Sequence, residues 1–569
     1  MFIFILQIRH MFDEQAELYL FTIFSGLVWA LWLLKVALSR RYKPWTAEHH
    51  ETTSVIVPVV DEPLDLFRDV LARVTEQQPD EVIVVINGRP NPGLQEVCEE
   101  FAPLVRWVHT PIPGKRNAVK IGTEMSKHDV TVLLDSDTVW TPGTLPELLK
   151  PFADPKVGGV TTRQRILEPT RSWITRWADW LENSRSLYSM PAQSVLGQVG
   201  CLPGRTIAFR RHILTQVMDD FMTQRFMGVF LEVSDDRTLT NITLKHGYRT
   251  VYQHTSLVYT DAPLQVKKLF KQQLRWARGS QYNTLRMLPW MLGHAPILAV
   301  FFLTDILLPF LLFGTIAGWI YRSVTHTGVN LYEAMLETYG AQAGWFWVIA
   351  LMITSSVLSM AIRQIRHLQE VPSDFFRLPV FIIVSTFFLM PVRLLGFLRM
   401  AHASGWGTRA GAYAGGDPGQ TNHGGAEEST GGTAGSSSLL TELDLMSRPA
   451  PVDVVDRDGG AGPFPAQRDH ATDPGTPVPA GMVPLPATEG AGAHAASTSS
   501  VGPAPDRVPA WQPVTAGTAT ATATLPEGRR ASRTAPTPAP AARRRLNPLA
   551  AIPYGIAVVL FALEALLYV

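Results

Sequence analysis

VTVLLDSDT, residues 130–138, is a run of β-branched and leucine residues that stops at two carboxylates, Asp135 and Asp137. Five apolar-compatible residues bounded by a polar cluster read as a buried strand. Two further runs upstream have the same form, TSVIVPVV at 53–60 and DEVIVVI at 80–86. Helical patterns follow the first (PLDLFRDVLARV, 63–74) and precede the third (RNAVKIGTEM, 116–125). Strands alternating with helices predict an α/β domain built on a parallel sheet, whose ligands gather at the carboxyl ends of the strands. That rule selects Asp61, Asn87 and Asp135.

A D-x-D pair is expected about once by chance in a chain of this length at average composition. Placed at a strand end, the hard oxygens of Asp135 and Asp137 suit Mg²⁺ or Mn²⁺, which can hold and neutralise a departing diphosphate. Gly114, Lys115 and Arg116 open the preceding helix, so backbone donors and two cations are available to phosphate there, as they are at any solvated helix start. Asp235 and Asp236 begin another helical pattern, where a carboxylate serves equally as an N-terminal cap or as a general base on an acceptor hydroxyl. Gln272, Arg275 and Trp276 stand at i, i+3 and i+4, on one helix face. An amide, a forked cation and an aromatic platform fit a sugar and phosphate subsite, or an anchor at a membrane surface.

The 569 residues include 50 basic and 49 acidic ones, 17% charged in all against about 25% in an average soluble protein. A formal net charge of +1 excludes strong whole-chain attraction to nucleic acid. Cys98 and Cys201 supply no disulfide framework and no zinc cluster. The missing charge is explained by apolar runs. Leu18–Leu34 is uncharged and is followed by Arg40, Arg41 and Lys43, which predicts a span with cytoplasm beyond it. Ala295–Tyr321 and Ala343–Ile362 are long enough to cross hydrocarbon, the first carrying Asp305, where a charge is costly and faces a polar path or a helix interface. Val380–Val392, between Arg377 and Arg393 and interrupted by Pro391, reads as an interfacial or re-entrant helix. Leu549–Val569 reads as a last span.

The expected domains are therefore a membrane segment at 1–38, a cytoplasmic catalytic domain at 39–262, amphipathic interfacial helices at 263–294 and a membrane and re-entrant region at 295–409. A disordered Gly/Ala/Pro-rich linker at 410–548 and a membrane helix at 549–569 complete them.

Taken in order, SVIVPVV (54–60), GKRNA (114–118), LLDSDT (133–138), CLPGRTIAFRR (201–211), SDDRTLTN (234–241), KQQLRW (271–276) and WGTR (406–409) resemble the processive membrane glycosyltransferases of family 2, notably hyaluronan and chitin-oligosaccharide synthases. The resemblance implies a GT-A (Rossmann-like) fold, a UDP-sugar donor, a growing polysaccharide acceptor and inverting transfer at the plasma membrane. It implies nucleotide-sugar binding by Asp61, Asn87, Lys115, Arg116, Asp135 and Arg275, with the metal on Asp137. Asp236 is then the general base, supported by Asp235. Cys201, Gly204, Gln272, Trp276, Trp406 and Arg409 line the acceptor site. Three departures stand out. Ile86, Asn87, Gly88 and Arg89 replace the usual Asp-Asp-Gly-Ser, Ser234 replaces a glycine, and CLPGR replaces a block with Cys or Ser before Gly, which leaves base and product identity open. The competing readings are a non-processive enzyme with a lipid acceptor and a catalytically silent membrane assembly protein.

Overall fold

The computed structural model describes residues 16–230, 233–325, 331–402 and 547–566. The linker reading of 410–548 lies outside them except for Asn547 and Pro548, and Trp406 and Arg409 lie outside them altogether.

Strand β1 (Thr53–Val59) is buried along its whole length and pairs in parallel with β2 (Glu81–Asn87) on one side and with β4 (Val130–Leu134) on the other. Burial on both faces is what a continuous Val/Ile run provides. Pro58 is tolerated because the β1–β4 ladder covers only Thr53–Ile56, so the missing N–H falls beyond the end of β4. Valines 55, 57 and 59 point to one face, where Phe67, Val70, Leu71 and Val74 of α1 (Leu64–Thr75) cover them. Ile56 points to the other. It packs so closely against α2 (Lys115–Met125) that a Cβ on Gly122 would stand 2.4 Å from its Cγ2.

With β3 (Val105–Thr110), β5 (Thr138–Trp140), β6 (Val157–Ile166), β7 (Thr206–Arg210) and the last long strand, Arg249–Thr260, the sheet has eight strands, in the order β3-β2-β1-β4-β7-β6-(249–260)-β5. The expectation of a parallel sheet holds for β3-β2-β1-β4. It fails at β7, which runs antiparallel to both β4 and β6, and at β5, antiparallel to the last strand, while β6 and the last strand are again parallel. A two-residue hairpin, β8 (Arg225–Phe226) and β9 (Val229–Phe230), stands apart from the sheet, so the Arg249–Thr260 strand is β10.

Residues 263–294, expected to form several interfacial helices, are mostly one helix, α3 (Val266–His294). It is buried on its polar as well as its apolar side, Gln273, Arg278, Gln281 and Asn283 included. Proximity explains this. Gly396 lets the backbones meet, a Cβ there falling 2.7 Å from the Ala277 Cβ. Arg278 Nε donates to the Arg399 carbonyl at 3.0 Å and Gln281 Nε2 to the Arg393 carbonyl at 2.9 Å.

Among the described residues three helices are long and apolar enough to cross a membrane, Pro296–Tyr321, Pro372–Leu398 and Pro548–Ala565, and Ile23–Ser39 and Ile349–Arg363 are shorter apolar helices. The second is longer than the 13-residue run Val380–Val392 that reads in sequence as an interfacial or re-entrant helix, because helix continues on both sides of that run and through Pro391. A π turn at Ser385–Leu389 precedes that proline and accommodates its ring and missing N–H without breaking the rod. The same device, a π turn followed by Met-Pro, occurs at Arg185–Ser189 before Pro191.

Candidate active site

Asp135 leaves the end of β4 with its N–H bonded to the Arg205 carbonyl at 3.0 Å, and the turn closes when Thr138 N–H bonds the Asp135 carbonyl at 3.1 Å. That turn brings both carboxylates of D-S-D to the sheet's carboxyl edge. Lys115, first residue of α2 after Gly114 (φ 122°), forms a short ion pair with Asp135. Burial pulls the Lys115 ammonium down, but Asp135, Asp235 and Asp236 more than offset it, so it stays above its ordinary value. Burial also pushes Asp137 up to about 6, with the charges of Asp135 and Asp261 adding to it against Arg205 and Lys115.

The second wall is the start of the Asp235–Lys245 helix. Ser234 caps it in a left-handed conformation (φ 64°) and lies against Gly279 of α3, where a Cβ would fall 2.1 Å from the serine Oγ. This close approach fixes the helix start beside Arg275. Asp236 Oδ1 accepts from the Arg237 N–H at 2.7 Å and Oδ2 from the Gly204 N–H at 3.2 Å, with the Cys201 Sγ 3.9 Å from the same oxygen. Burial, then the Asp236 charge, pushes the Cys201 thiol up to about 12. Arg275 points into this acidic surround. Its Nε is buried with no hydrogen-bond partner, and burial lowers its pKa against the pull of Asp135, Asp235, Asp236 and Asp137.

Lys115, Asp135, Asp137, Cys201, Gly204, Asp235, Asp236, Gln272, Arg275 and Trp276 all line one cavity of about 630 Å³. Three expected residues do not. Arg116 follows Lys115 but is turned about 100° around the helix. It is locked inside against Asp235 (3.3 Å), the Phe221 carbonyl (2.7 Å) and the rings of Phe221 and Phe230. Asn87 is fully buried, its amide donating to the Val59 carbonyl at 3.1 Å and its Oδ1 accepting from the Gly114 N–H at 3.3 Å. It braces the loop before Lys115 and does not face the cavity. Asp61 is exposed at the end of β1, outside the cavity.

The structure adds residues that the sequence reading did not select. Arg205 pairs with Glu182 at 3.0 Å, donates to Gln164 at 2.9 Å and lies 5.7 Å from the Trp276 ring centroid. Burial pushes Glu182 up, but Arg205 and Arg185 bring its carboxyl below the usual range. Asp261, just past β10, also lines the cavity, and the strand-end rule applied to RTVYQHTSLVYT would have found it. Glu182 and Arg185 lie on a helix and its continuation with no local signature.

Among the described residues no three His, Cys, Asp or Glu side chains group as a metal cage. The donor set fits a cation held by one or two carboxylates, with phosphate oxygens and water completing its shell, which is how Mg²⁺ and Mn²⁺ are commonly bound at phosphate sites.

A mixed sheet carrying D-S-D at a strand end, facing a second acidic helix start and a buried arginine, defines a GT-A glycosyltransferase. Residues 50–279 match the model of glycosyltransferase like family 2, and the chain carries a domain of that family. It is 26% identical over 388 residues to a hyaluronan synthase of Streptococcus pyogenes, covering 66% of this chain and 88% of that one. To an N-acetylglucosaminyltransferase of Mesorhizobium japonicum it is 28% identical over 381 residues, 65% of this chain and 84% of that one. A solved mannosyltransferase of Pyrobaculum calidifontis, in complex with GDP-Man and Mn²⁺, aligns with a TM-score of 0.45 at 18% identity, covering 66% of this chain and 98% of that one. The protein is a nucleotide-sugar-dependent glycosyltransferase.

Proposed function

We propose that the protein is an inverting, processive polysaccharide synthase of the plasma membrane that takes a UDP-activated hexose and passes its product between its own membrane helices. The observation that supports this is the continuity of the cavity, which reaches from Asp135, Asp236 and Arg275 to Trp32, Phe301 and Asp305 on apolar helices. A polymer leaving the acceptor subsite is already in the membrane path. The similarity to hyaluronan synthases along 88% of their length supports the same reading.

In this reading Lys115 and Arg275 bind the diphosphate, and Trp276 with Gln272 seats the acceptor sugar. Asp236, oriented by two backbone donors, accepts the proton of the acceptor hydroxyl as it attacks the anomeric carbon from the face opposite the diphosphate. Asp137, with Asp135 beside it, would hold Mg²⁺ or Mn²⁺, which when bound supplies charge stabilisation to the departing UDP.

The test is incorporation of label from a panel of UDP-hexoses by membranes containing the protein, with Mg²⁺ or Mn²⁺ and with EDTA, followed by sizing of the product. Long polymer from one or two donors, lost with EDTA, is expected. A single-sugar lipid product would overturn processivity, and no turnover of any UDP-sugar would overturn the donor class.

A further inference from the structure

The β8–β9 hairpin has little of its own to hold it. It is two residues long on each side and turns through Met227 (φ 51°) and Gly228 (φ 71°). Both turn residues are therefore left-handed, a conformation that glycine adopts freely and methionine does not. A ribbon this short is not stable alone in water. Its turn is held from the far end of the chain. Asn547, 5% exposed, donates from Nδ2 to the Met227 carbonyl at 3.0 Å, while its Oδ1 accepts from the Leu549 N–H at 3.1 Å and so caps the start of the last helix. A Cβ on Gly228 would stand 3.4 Å from the asparagine Nδ2. Residues 403–546 stand between the two in sequence, and the fold brings them together.

The hairpin in turn supports the start of the helix that carries Asp236. Phe226 meets the Tyr282 ring edge-on, centroids 5.3 Å apart, and the Tyr282 hydroxyl donates to the Val229 carbonyl at 3.2 Å. The Phe230 ring lies 5.1 Å from the Arg116 guanidinium, whose Nε donates to Asp235 Oδ1 at 3.3 Å and whose Nη2 donates to Thr238 Oγ1 at 3.4 Å. A second line reaches the same place by apolar contact. Val233, the residue before Ser234, is buried in one cluster with Phe310 and Ala557, and Phe561 packs against that cluster with its ring 5.3 Å from the Phe310 centroid. Both lines end at residues 233–235, and Asp236 is next. A base must stand within hydrogen-bond reach of its proton, so a small displacement of this helix start is felt in turnover.

We infer that Asn547 is a positioning residue for transfer: by holding the Met227 carbonyl it fixes the β8–β9 hairpin and, through Phe230 and Arg116, the Asp235–Asp236 helix start, which makes the Pro548–Ala565 helix a working part of the catalytic unit. For its target this rests on the reading of Asp236 as the base. Arg116 keeps its bond to the Phe221 carbonyl when the hairpin loosens, so Lys115 beside it and Arg275 on α3 stay in place. The effect therefore falls on kcat and not on the KM of the donor.

The experiment compares full-length wild type, Asn547→Ala, Asn547→Asp and the double variant Asn547→Ala with Met227→Gly. Initial rates are measured in membranes with UDP-N-acetylglucosamine and UDP-glucose, and hydrogen exchange over residues 225–230 and 233–238 is measured on the purified protein. In Asn547→Ala, kcat is expected to fall about fivefold, the worth of one hydrogen bond, with KM within about twofold of wild type and exchange about fivefold faster. Asn547→Asp keeps the acceptor for the Leu549 N–H and loses the donor to Met227, so it should match the alanine variant. Met227→Gly removes the turn's need for that donor, and the double variant should return to within about twofold of wild type in both measurements. An unchanged kcat in Asn547→Ala, a loss carried by KM, or a loss that Met227→Gly does not restore overturns the inference. So does a loss that Asn547→Asp does not share, which marks a helix cap and nothing more. Retained transfer in Asp236→Asn removes the base reading alone. Where neither sugar turns over, the exchange measurement needs no donor and decides, unchanged exchange in Asn547→Ala overturning the inference.

Discussion

The Gly204 N–H donates to Asp236 Oδ2 at 3.2 Å while the Arg237 N–H donates to Oδ1 at 2.7 Å, so both oxygens of the candidate base are held by main chain from two separate segments. An amide cannot satisfy both donors, since one of its two heteroatoms is itself an N–H₂ group. Asp236→Asn is therefore expected to remove the base and also to set one N–H against another. Transfer should fall by about 10²–10⁴-fold, with a stability loss of about 1–2 kcal/mol. Rates and thermal unfolding of the same preparation check this. Retention of more than a tenth of the activity would remove Asp236 from the base role.

Arg275 is surrounded by carboxylates and has an unused Nε, so its fork is available for a diphosphate. Arg275→Lys keeps the charge and loses the planar pair of donors. The expected result is a KM for the nucleotide sugar raised about tenfold or more, with UDP inhibition weakened to the same degree. An unchanged UDP inhibition constant would place Arg275 away from the diphosphate.

How far all of this was legible in the sequence differs residue by residue. Asp135 and Asp137 were readable because a short run of β-branched and leucine residues ends at them, the form of a buried strand in a chain that alternates such runs with helices. Lys115 and Arg116 were indistinguishable as text, since neighbouring side chains on a helix diverge by about 100° and the one-dimensional pattern does not say which faces the cleft. Asn87 sits at a strand end as expected, yet its amide is turned inward to backbone partners, a matter of rotamer that residue type does not encode. Strand direction was unreadable for β7, because alternation is the same in either sense. The Pro372–Leu398 helix was cut short in the reading because a π turn, invisible in composition, carries the chain past Pro391.

Gly200 tests the junction between the catalytic domain and the first long apolar helix. A Cβ there would stand 2.4 Å from the Phe302 ring and 2.9 Å from Leu298 Cδ1. Arg237 Cζ also lies over the ring, 4.0 Å from its centroid, so the ring cannot swing away without loss. Gly200→Ala is expected to cost about 1–2 kcal/mol, and the double variant with Phe302→Ala should be less destabilised than the sum of the two single variants. Additive effects in the thermal-unfolding cycle would show that Phe302 does not occupy this place.

His254 contributes to the loss of stability in acid. Arg163 Nη1 lies 3.2 Å from His254 Nε2, and because a guanidinium only donates, Nε2 must accept and the ring must be neutral with its proton on Nδ1, toward the Tyr252 hydroxyl at 3.1 Å. The backbone N–H of His254 donates to the Tyr42 hydroxyl, and Glu370, paired with Arg163, is the acid facing the group. Burial first, then the Arg163 charge, lowers the imidazole from 6.5 to about 4. Between these two values the unfolded chain takes up a proton that the folded one refuses, so stability is complete above pH 6.5 and declines as the pH falls toward 4. The loss expected is about 2 kcal/mol, allowing for the partial exposure of the ring. Unfolding temperatures measured from pH 7.5 down to 4.5 should fall more steeply for the wild type than for His254→Gln, which cannot titrate, and parallel curves would refute the assignment.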